Sequence, residues 1–271
     1  MAILVTGAGG LVGRAAVAAL LEQGVEHVRA VVRDQAQAGE LRRLGAKVAV
    51  MEARDPDALE AAMDGVFTAC SLTGGPRGRP GEDPAAAVVE PARVFLAAAE
   101  ATGVRRVVVL SPAATSPAVG RYLAAKAEVE ARVRASGLEH AILRCTHVLG
   151  AGARLVAHLR AGDPVPVPGS GRQRVAPVWV GDVARAVALA DDAVELRATW
   201  SVAGPTETSL DELVDAVRGA PAAKRHTGTA AADGLSAAEV EVLAADSLPD
   251  PALDRPPGLV PIPLSETLRR L

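Results

Sequence analysis

The sequence predicts an α/β fold built on a doubly wound parallel sheet, and three observations carry that expectation. Short Val/Ile/Leu runs alternate with longer Ala/Leu-rich segments through the first half of the chain, the pattern of repeated strand and helix units. The first apolar run, AILVT, passes directly into a glycine turn and then into a helical segment. At 271 residues the chain can bury one full α/β core and carry a small additional lobe.

Taken in order, AILVT is the first strand and GRAAVAALLEQG a helix stopped by Gly24. HVRAVVR is the second strand, AGELRRLG a helix and AKVAVME the third strand. In DPDALEAAMDG, Asp55 stands in N-cap position with Pro56 in the first turn. VFTACSL is a fourth strand, buried on both faces. The Gly/Pro-rich stretch TGGPRGRPGEDP is a long connection of the kind that covers a site. AAAVVEPARVFLAAAEATG is a long helix, VRRVVVLS the fifth strand, PAATSPAVG a loop, RYLAAKAEVEARV a helix and LEHAILRCTHVLG the sixth strand. Beyond residue 150 the periodicity loosens. ARLVAHLRAG reads as a helix, DPVPVPGSGRQRVAPVWV as two short strands, GDVARAVALADD as a helix and ATWSVAG as a strand. In SLDELVDAVRGA, Ser209 and Glu212 have capping-box spacing. The tail from Pro221 is Ala/Pro-rich and weakly periodic.

Composition narrows the function classes. The net charge of -3 comes from interspersed acids and bases, with no basic stripe to neutralise a phosphate backbone, so a nucleic-acid partner is not expected. Cys70 and Cys145 are too few for a disulfide framework, and the five histidines form no HxxxH pair. These features predict a reduced compartment and no metal. No apolar run reaches the roughly 18 residues of a membrane span, so a soluble, cytoplasmic protein is expected. Homodimerisation is left open.

The turn in ILVTGAGGLVGR sets Gly7, Gly10 and Gly13 between the first strand and first helix. Glycines there let the backbone turn tightly and approach a pyrophosphate, while the helix start offers free N–H groups and a positive dipole end. About twenty residues on, where an NAD site offers an acid to the ribose diol, the chain has Arg33 followed by Asp34. Arg33 suits a 2′-phosphate, and Arg14 can add a second positive charge. NADP is therefore preferred, and Asp34 keeps NAD open.

These motifs combine with EARDPDAL after the third strand, GVRRVVVLS, YxxxK at Tyr122 and Lys126, SGLEHAILR, and VAPVWVGDVARAVALA. The combination, over roughly residues 1–218, resembles the extended and atypical short-chain dehydrogenase/reductase superfamily, in its NmrA-like NAD(P)-binding branch. The resemblance implies a Rossmann-like NAD(P)-binding domain over residues 1–150. It also implies a smaller substrate-binding lobe over 151–271, partly packed back on the main sheet. Thr6, Gly7, Gly10, Leu11, Val12 and Gly13 would bind the pyrophosphate, and Arg14 with Arg33 the 2′-phosphate. Glu52 and Ala53 would lie beside adenine, with Leu72, Thr73 and Gly74 along the adenosine ribose. Lys126 would also hold the nicotinamide ribose. Glu52, Cys145 and Pro112 depart from the family pattern, which has Asp, Pro and Ser there.

Tyr122 is the only tyrosine, and a lysine four residues after it arises by chance about once in ninety, given three lysines in the chain. One helical turn separates the two, so both project from one face. An ammonium beside a phenol favours phenolate, and a phenol so tuned can pass a proton to a carbonyl oxygen that is accepting hydride. Ser111, at the end of the fifth strand, would orient the substrate oxygen, with Thr115 and Ser116 as substitutes. His147 reads as a packed or surface residue rather than a catalytic one, and Cys145 as a core or pocket-wall residue with no base beside it. Trp179 is expected to pack between sheet and lobe, and Asp182 to cap the helix it precedes.

The function expected is reduction of a ketone, quinone or related carbonyl by an NADP-dependent oxidoreductase. Two alternatives stand beside it. One is a nucleotide-sugar-type epimerase or lyase with retained nicotinamide, and the other an NADP-sensing regulator without catalysis. Arg77, Arg79, Arg172 and Arg174 are expected to face solvent.

Overall fold

A computed structural model describes residues 1–76, 83–113, 120–194, 196–228 and 234–271. The first half runs β1 (Ala2–Thr6), α1 (Leu11–Glu22), β2 (His27–Val32), α2 (Gln35–Leu44), β3 (Lys47–Val50), α3 (Pro56–Met63) and β4 (Val66–Ser71). It continues with α4 (Pro84–Ala101), β5 (Arg106–Pro112), α5 (Arg121–Ala135) and β6 (Glu139–Cys145). The second half holds β7 (Val148–Leu149), α6 (Arg154–Arg160), β8 (Val165–Val167), β9 (Arg174–Val175), β10 (Val178–Trp179) and α7 (Val180–Asp192). After these come β11 (Arg197–Val202), β12 (Thr208–Ser209), α8 (Leu210–Arg218), β13 (Lys224–His226), α9 (Ala237–Leu243) and α10 (Leu264–Arg269).

Seven strands form one parallel sheet in the order β3-β2-β1-β4-β5-β6-β11. The sixth-strand reading, drawn as one run to Gly150, breaks after Cys145. Thr146 Oγ1 donates to the Ala176 carbonyl and Val178 N–H to the His147 carbonyl, so Val148 and Leu149 pair with β10 instead. Strand β11, a seventh strand from the second half, pairs along β6 from His140 to Cys145 and forms the edge of the sheet. Three short strands, rather than two, lie between residues 165 and 179.

The sheet is covered on both faces, which makes it doubly wound. Ala16, Val17 and Leu20 of α1, Leu41 of α2 and Val183, Ala186 and Val187 of α7 share one core with Val5 and Val108. Leu59 of α3, Phe95 of α4 and Leu123, Val129 and Val133 of α5 share the other with Leu4, Val107 and Val109. With only 2% aromatic residues these layers are filled by Val, Ala and Leu. A third core joins Leu149, Val156, Val165 and Val175 to Leu210, Leu213 and Val214.

Local chemistry sets several boundaries. Asp55 caps α3, accepting from Ala58 N–H, and Pro56 occupies its first turn. Ser209 and Glu212 close a capping box on α8. Helix α2 begins earlier than its apolar pattern indicates, because the Asp34 carboxylate accepts from Ala36 N–H and starts the helix at Gln35. Asp182 does not cap α7. It lies inside the first turn, fully buried, paired with Arg185 and accepting from Ile262 N–H, so it ties the C-terminal segment down. Trp179 stacks beneath the Arg270 guanidinium.

Arg106 is 1% exposed on β5 and bonds the carbonyls of Ala190, Asp191 and Ala193, together with Glu139. It thereby satisfies the orphan carbonyls at the C-terminus of α7. Arg106→Met leaves those carbonyls unpaired and Glu139 with Arg105 as its one remaining arginine partner, and is expected to cost about 3–5 kcal/mol. The measurement is urea unfolding, with a lower midpoint at an unchanged slope.

Candidate active site

The carboxyl ends of β1 to β6 lie along one edge of the sheet, and the strand order reverses between β1 and β4. Loops leaving such a switch point diverge and open a crevice. The glycine turn follows β1 there. Gly7 has a φ of 71°, and a Cβ on it would stand 2.7 Å from the Leu72 carbonyl oxygen. A Cβ on Gly13 would stand 2.2 Å from the Gly7 oxygen. Both positions are closed to any side chain. Helix α1 starts at Leu11, followed by Val12, with Gly10 as an N-cap that offers no side-chain bond and with no acid in its first turn. Its leading N–H groups are therefore left for an anion, and the cradle fits a pyrophosphate. Thr6 is already engaged, donating Oγ1 to the Cys70 carbonyl at 3.2 Å.

At the end of β2, Arg33 is exposed, and among the described residues no hydrogen bond or ion pair engages it. Arg14 is partly engaged, donating to the Gly9 carbonyl at 2.7 Å and standing 3.9 Å from Glu40. Asp34 is committed to the α2 cap. Glu52 and Ala53 follow β3, and Leu72 and Thr73 follow β4 with Thr73 Oγ1 3.3 Å from Ser71 Oγ. The candidate cofactor residues thus share the one edge.

Helix α5 brings Tyr122 and Lys126 to the same edge, both buried. The Tyr122 hydroxyl donates to the Gly74 carbonyl at 3.0 Å, and Lys126 Nζ donates to the Leu110 carbonyl of β5 at 3.2 Å. Nζ lies 5.9 Å from the centre of the tyrosine ring, over its face. The expectation that the ammonium makes the phenol more acidic is not met in this arrangement. Burial, and then the Glu241 carboxylate, push the Tyr122 phenol above its ordinary value. Burial pushes Lys126 the opposite way, down to about 8, against the pull of Glu130 and Cys145.

Ser111 shares the β5 face of Val107 and Val109, so it points toward the α5 layer. Its hydroxyl is covered and makes no hydrogen bond of ordinary geometry, yet it lies close enough to Glu130 to help hold that carboxyl low. Burial opposes the lowering at Glu130, and Arg144, Ser111 and Arg134 outweigh it. Arg144 in turn bridges to Asp250. Thr115 and Ser116, with Arg77 and Arg79, lie outside the described residues. Arg172 and Arg174 are exposed, and Arg174 pairs with Glu207.

Cys145 ends β6 near Lys126, and burial pushes its thiol up to about 12, with Lys126 opposing, so it is a neutral thiol rather than a nucleophile. Burial pushes His147 down to about 4, so the imidazole is neutral, and among the described residues its Nε2 has no partner. Among the described residues no group of His, Cys, Asp and Glu could hold a metal ion, and no helix is long and apolar enough to cross a membrane. Three neighbours of the pair carried no signal in the sequence pattern: Glu130, Gly74 as an acceptor, and Glu241.

The family described as NAD(P)H-binding matches residues 7–188. The fold is shared with dTDP-glucose 4,6-dehydratase from Streptomyces venezuelae, solved as a double mutant with NAD bound. The TM-score is 0.80 at 20% identity, over 100% of this chain and 95% of that one. UDP-glucose 4-epimerase from Thermotoga maritima, solved with UDP-glucose, gives 0.76 at 20% identity over 99% and 96%. UDP-glucuronic acid 4-epimerase from Bacillus cereus, solved with UDP-glucuronic acid and NAD, gives 0.75 at 17% identity over 100% and 97%. No curated protein matches the sequence.

The depressed Lys126 value has a consequence for stability. The unfolded chain holds this proton up to about 10.5 and the folded chain only to about 8, so stability rises as pH climbs between those values. Lys126→Met removes a buried ammonium and is expected to stabilise the fold at pH 7 by up to about 3 kcal/mol. The gain should vanish above about pH 10. Chemical denaturation at pH 7 and pH 10 measures both.

Proposed function

The chain belongs to the NAD(P)H-binding family, and on that premise we propose that it is an NADP-dependent oxidoreductase reducing a ketone, quinone or related carbonyl. The observation that carries the reading is the buried Tyr122 and Lys126 pair at the sheet edge that holds the glycine cradle. When bound, the nicotinamide supplies the hydride. Thr6 to Gly13 would hold the pyrophosphate, and Lys126 would hold the nicotinamide ribose. A phenol pushed up by burial is fully protonated at neutral pH, the form needed to donate to an oxygen gaining negative charge. Donation in the reducing direction is therefore favoured over abstraction. Ser111, whose hydroxyl makes no hydrogen bond of ordinary geometry among the described residues, is assigned to orient the substrate oxygen.

Tyr122→Phe is expected to lower turnover of any accepted carbonyl by about 10²- to 10⁴-fold while NADPH still raises the melting temperature. Unchanged turnover overturns the assignment. NADPH binding without turnover by the native protein on a broad carbonyl panel supports the sensing regulator instead.

NADP is proposed over NAD because Arg33 is exposed with no partner among the described residues while Asp34 is occupied at the α2 cap. Arg33→Ala should weaken NADPH binding about ten- to hundredfold and leave NADH binding unchanged, since a charge-assisted bond to a phosphate is worth about 1.5–3 kcal/mol. Calorimetric titration of both nucleotides measures the ratio.

A second reading is favoured by the full-length likeness to nucleotide-sugar dehydratases and epimerases. It is a lyase or epimerase reaction with retained nicotinamide. Thermal stabilisation by UDP-glucose or dTDP-glucose, and a sugar product formed without net NAD(P)H consumption, would establish it in place of carbonyl reduction.

A further inference from the structure

Helix α5 carries both proposed catalytic side chains, yet its start has no cap of its own. Gly120 stands at the N-cap with no side chain to offer, and no acid lies in the first turn. The missing acceptor comes from elsewhere in the chain. The Glu241 carboxylate of α9 accepts Tyr122 N–H at 3.2 Å through one oxygen and Leu123 N–H at 2.8 Å through the other. Glycine at 120 is what admits it, because a Cβ there would stand 2.1 Å from the carboxyl carbon.

The carboxylate is itself held in place. Ser236 and Glu239 close a capping box at the start of α9, Ser236 Oγ bonds the Pro76 carbonyl at 2.8 Å, and Glu239 pairs with Arg154 of α6. The segment is thus fastened to the loop beyond β4, whose Gly74 carbonyl receives the Tyr122 hydroxyl, and to α6. Glu241 reaches α5 from a segment anchored on two other sides.

We infer that Glu241 is a positioning residue for the reaction: it caps the catalytic helix from the C-terminal segment and fixes the backbone of Tyr122 beside Gly74. This rests on the assignment of Tyr122 as the proton-transfer group. A carboxylate at the amide of Tyr122 also opposes formation of phenolate, which keeps the side chain in the donating form. The charged groups around the ring are Glu241 from α9, Lys126 on α5 itself and, flanking the helix start, Arg121 paired with Asp83 ahead of α4. Of these, only Glu241 and Asp83 are negative, and the Asp83 charge is met by Arg121.

The single tyrosine makes the test direct. Biosynthetic fluorotyrosine places the ¹⁹F reporter on this ring alone, and fluorination lowers the phenol's intrinsic value, so the titration is followed over the pH range in which circular dichroism shows the fold intact. Glu241→Gln keeps an acceptor oxygen and removes the charge, and the ¹⁹F titration midpoint is expected to fall by about one pH unit. An unchanged or higher midpoint overturns the electrostatic part. Glu241→Ala and Gly120→Ala each remove the cap by a different route. Hydrogen exchange at the Leu123 amide should accelerate about tenfold in both, while the amides of the last turn of α5 are unaffected. Unaltered protection overturns the capping part, and should Glu241→Ala not fold, Gly120→Ala supplies the same comparison. None of these readouts requires turnover, so failure of the catalytic reading in Tyr122→Phe is distinguishable from failure of this inference.

Discussion

The carbonyl oxygen of Leu72 stands where a side chain on Gly7 would have to be, and that contact organises the rest of the site. It joins the turn after β1 to the turn after β4, the two strands between which the sheet reverses its order. Because the turns touch, the α1 start is held at the mouth of the crevice, and the loop continuing from Leu72 delivers the Gly74 carbonyl to the Tyr122 hydroxyl. Phosphate cradle and phenol are thus linked through a stretch of three residues. A methyl group at position 7 would push apart the walls of the crevice as well as spoil the turn.

A second constraint is what burial does to charge. The pair at the head of α5 lies in a core of small aliphatic side chains, and each member is driven toward its neutral form. For the tyrosine this preserves the proton, and for the lysine it weakens the hold on one. Glu130, one turn further along α5, counters the second effect and is kept ionised by Arg144 and Arg134. The charges behind the site therefore work against its burial.

Much of the architecture was legible in the chain because it is set by short-range chemistry. Asp55 with Pro56, Ser209 with Glu212, and the glycine turn each act over a few residues, and each element lies where its pattern indicates. The edge-sharing of Thr6, Arg33, Leu72, Ser111 and Lys126 follows from parallel strands running in one direction. What was not legible is contact between distant segments. Nothing near Val148 announces that β6 ends at Cys145, since the cause is Ala176 and Val178 some thirty residues on. The lowered acidity of the phenol could not be read from the YxxxK spacing, because it depends on Glu241 and on how deep the ring lies. Asp182, read as a cap, proved to serve Ile262 for the same reason.

The C-terminal segment touches the molecule at widely spaced points: Ser247 at Arg174, Asp254 at Ser201, Ile262 at Asp182 and Glu241 at α5. This bears on the order in which the protein comes into being. The carboxylate that caps α5 is synthesised 119 residues after the amide it receives, a wait of roughly ten seconds at ribosomal rates of about 5–20 residues per second. The β11 edge of the sheet likewise arrives after the six strands it completes. A nascent chain can hold the glycine cradle long before it holds a finished α5, so on the proposed function nucleotide binding would precede competence during biosynthesis.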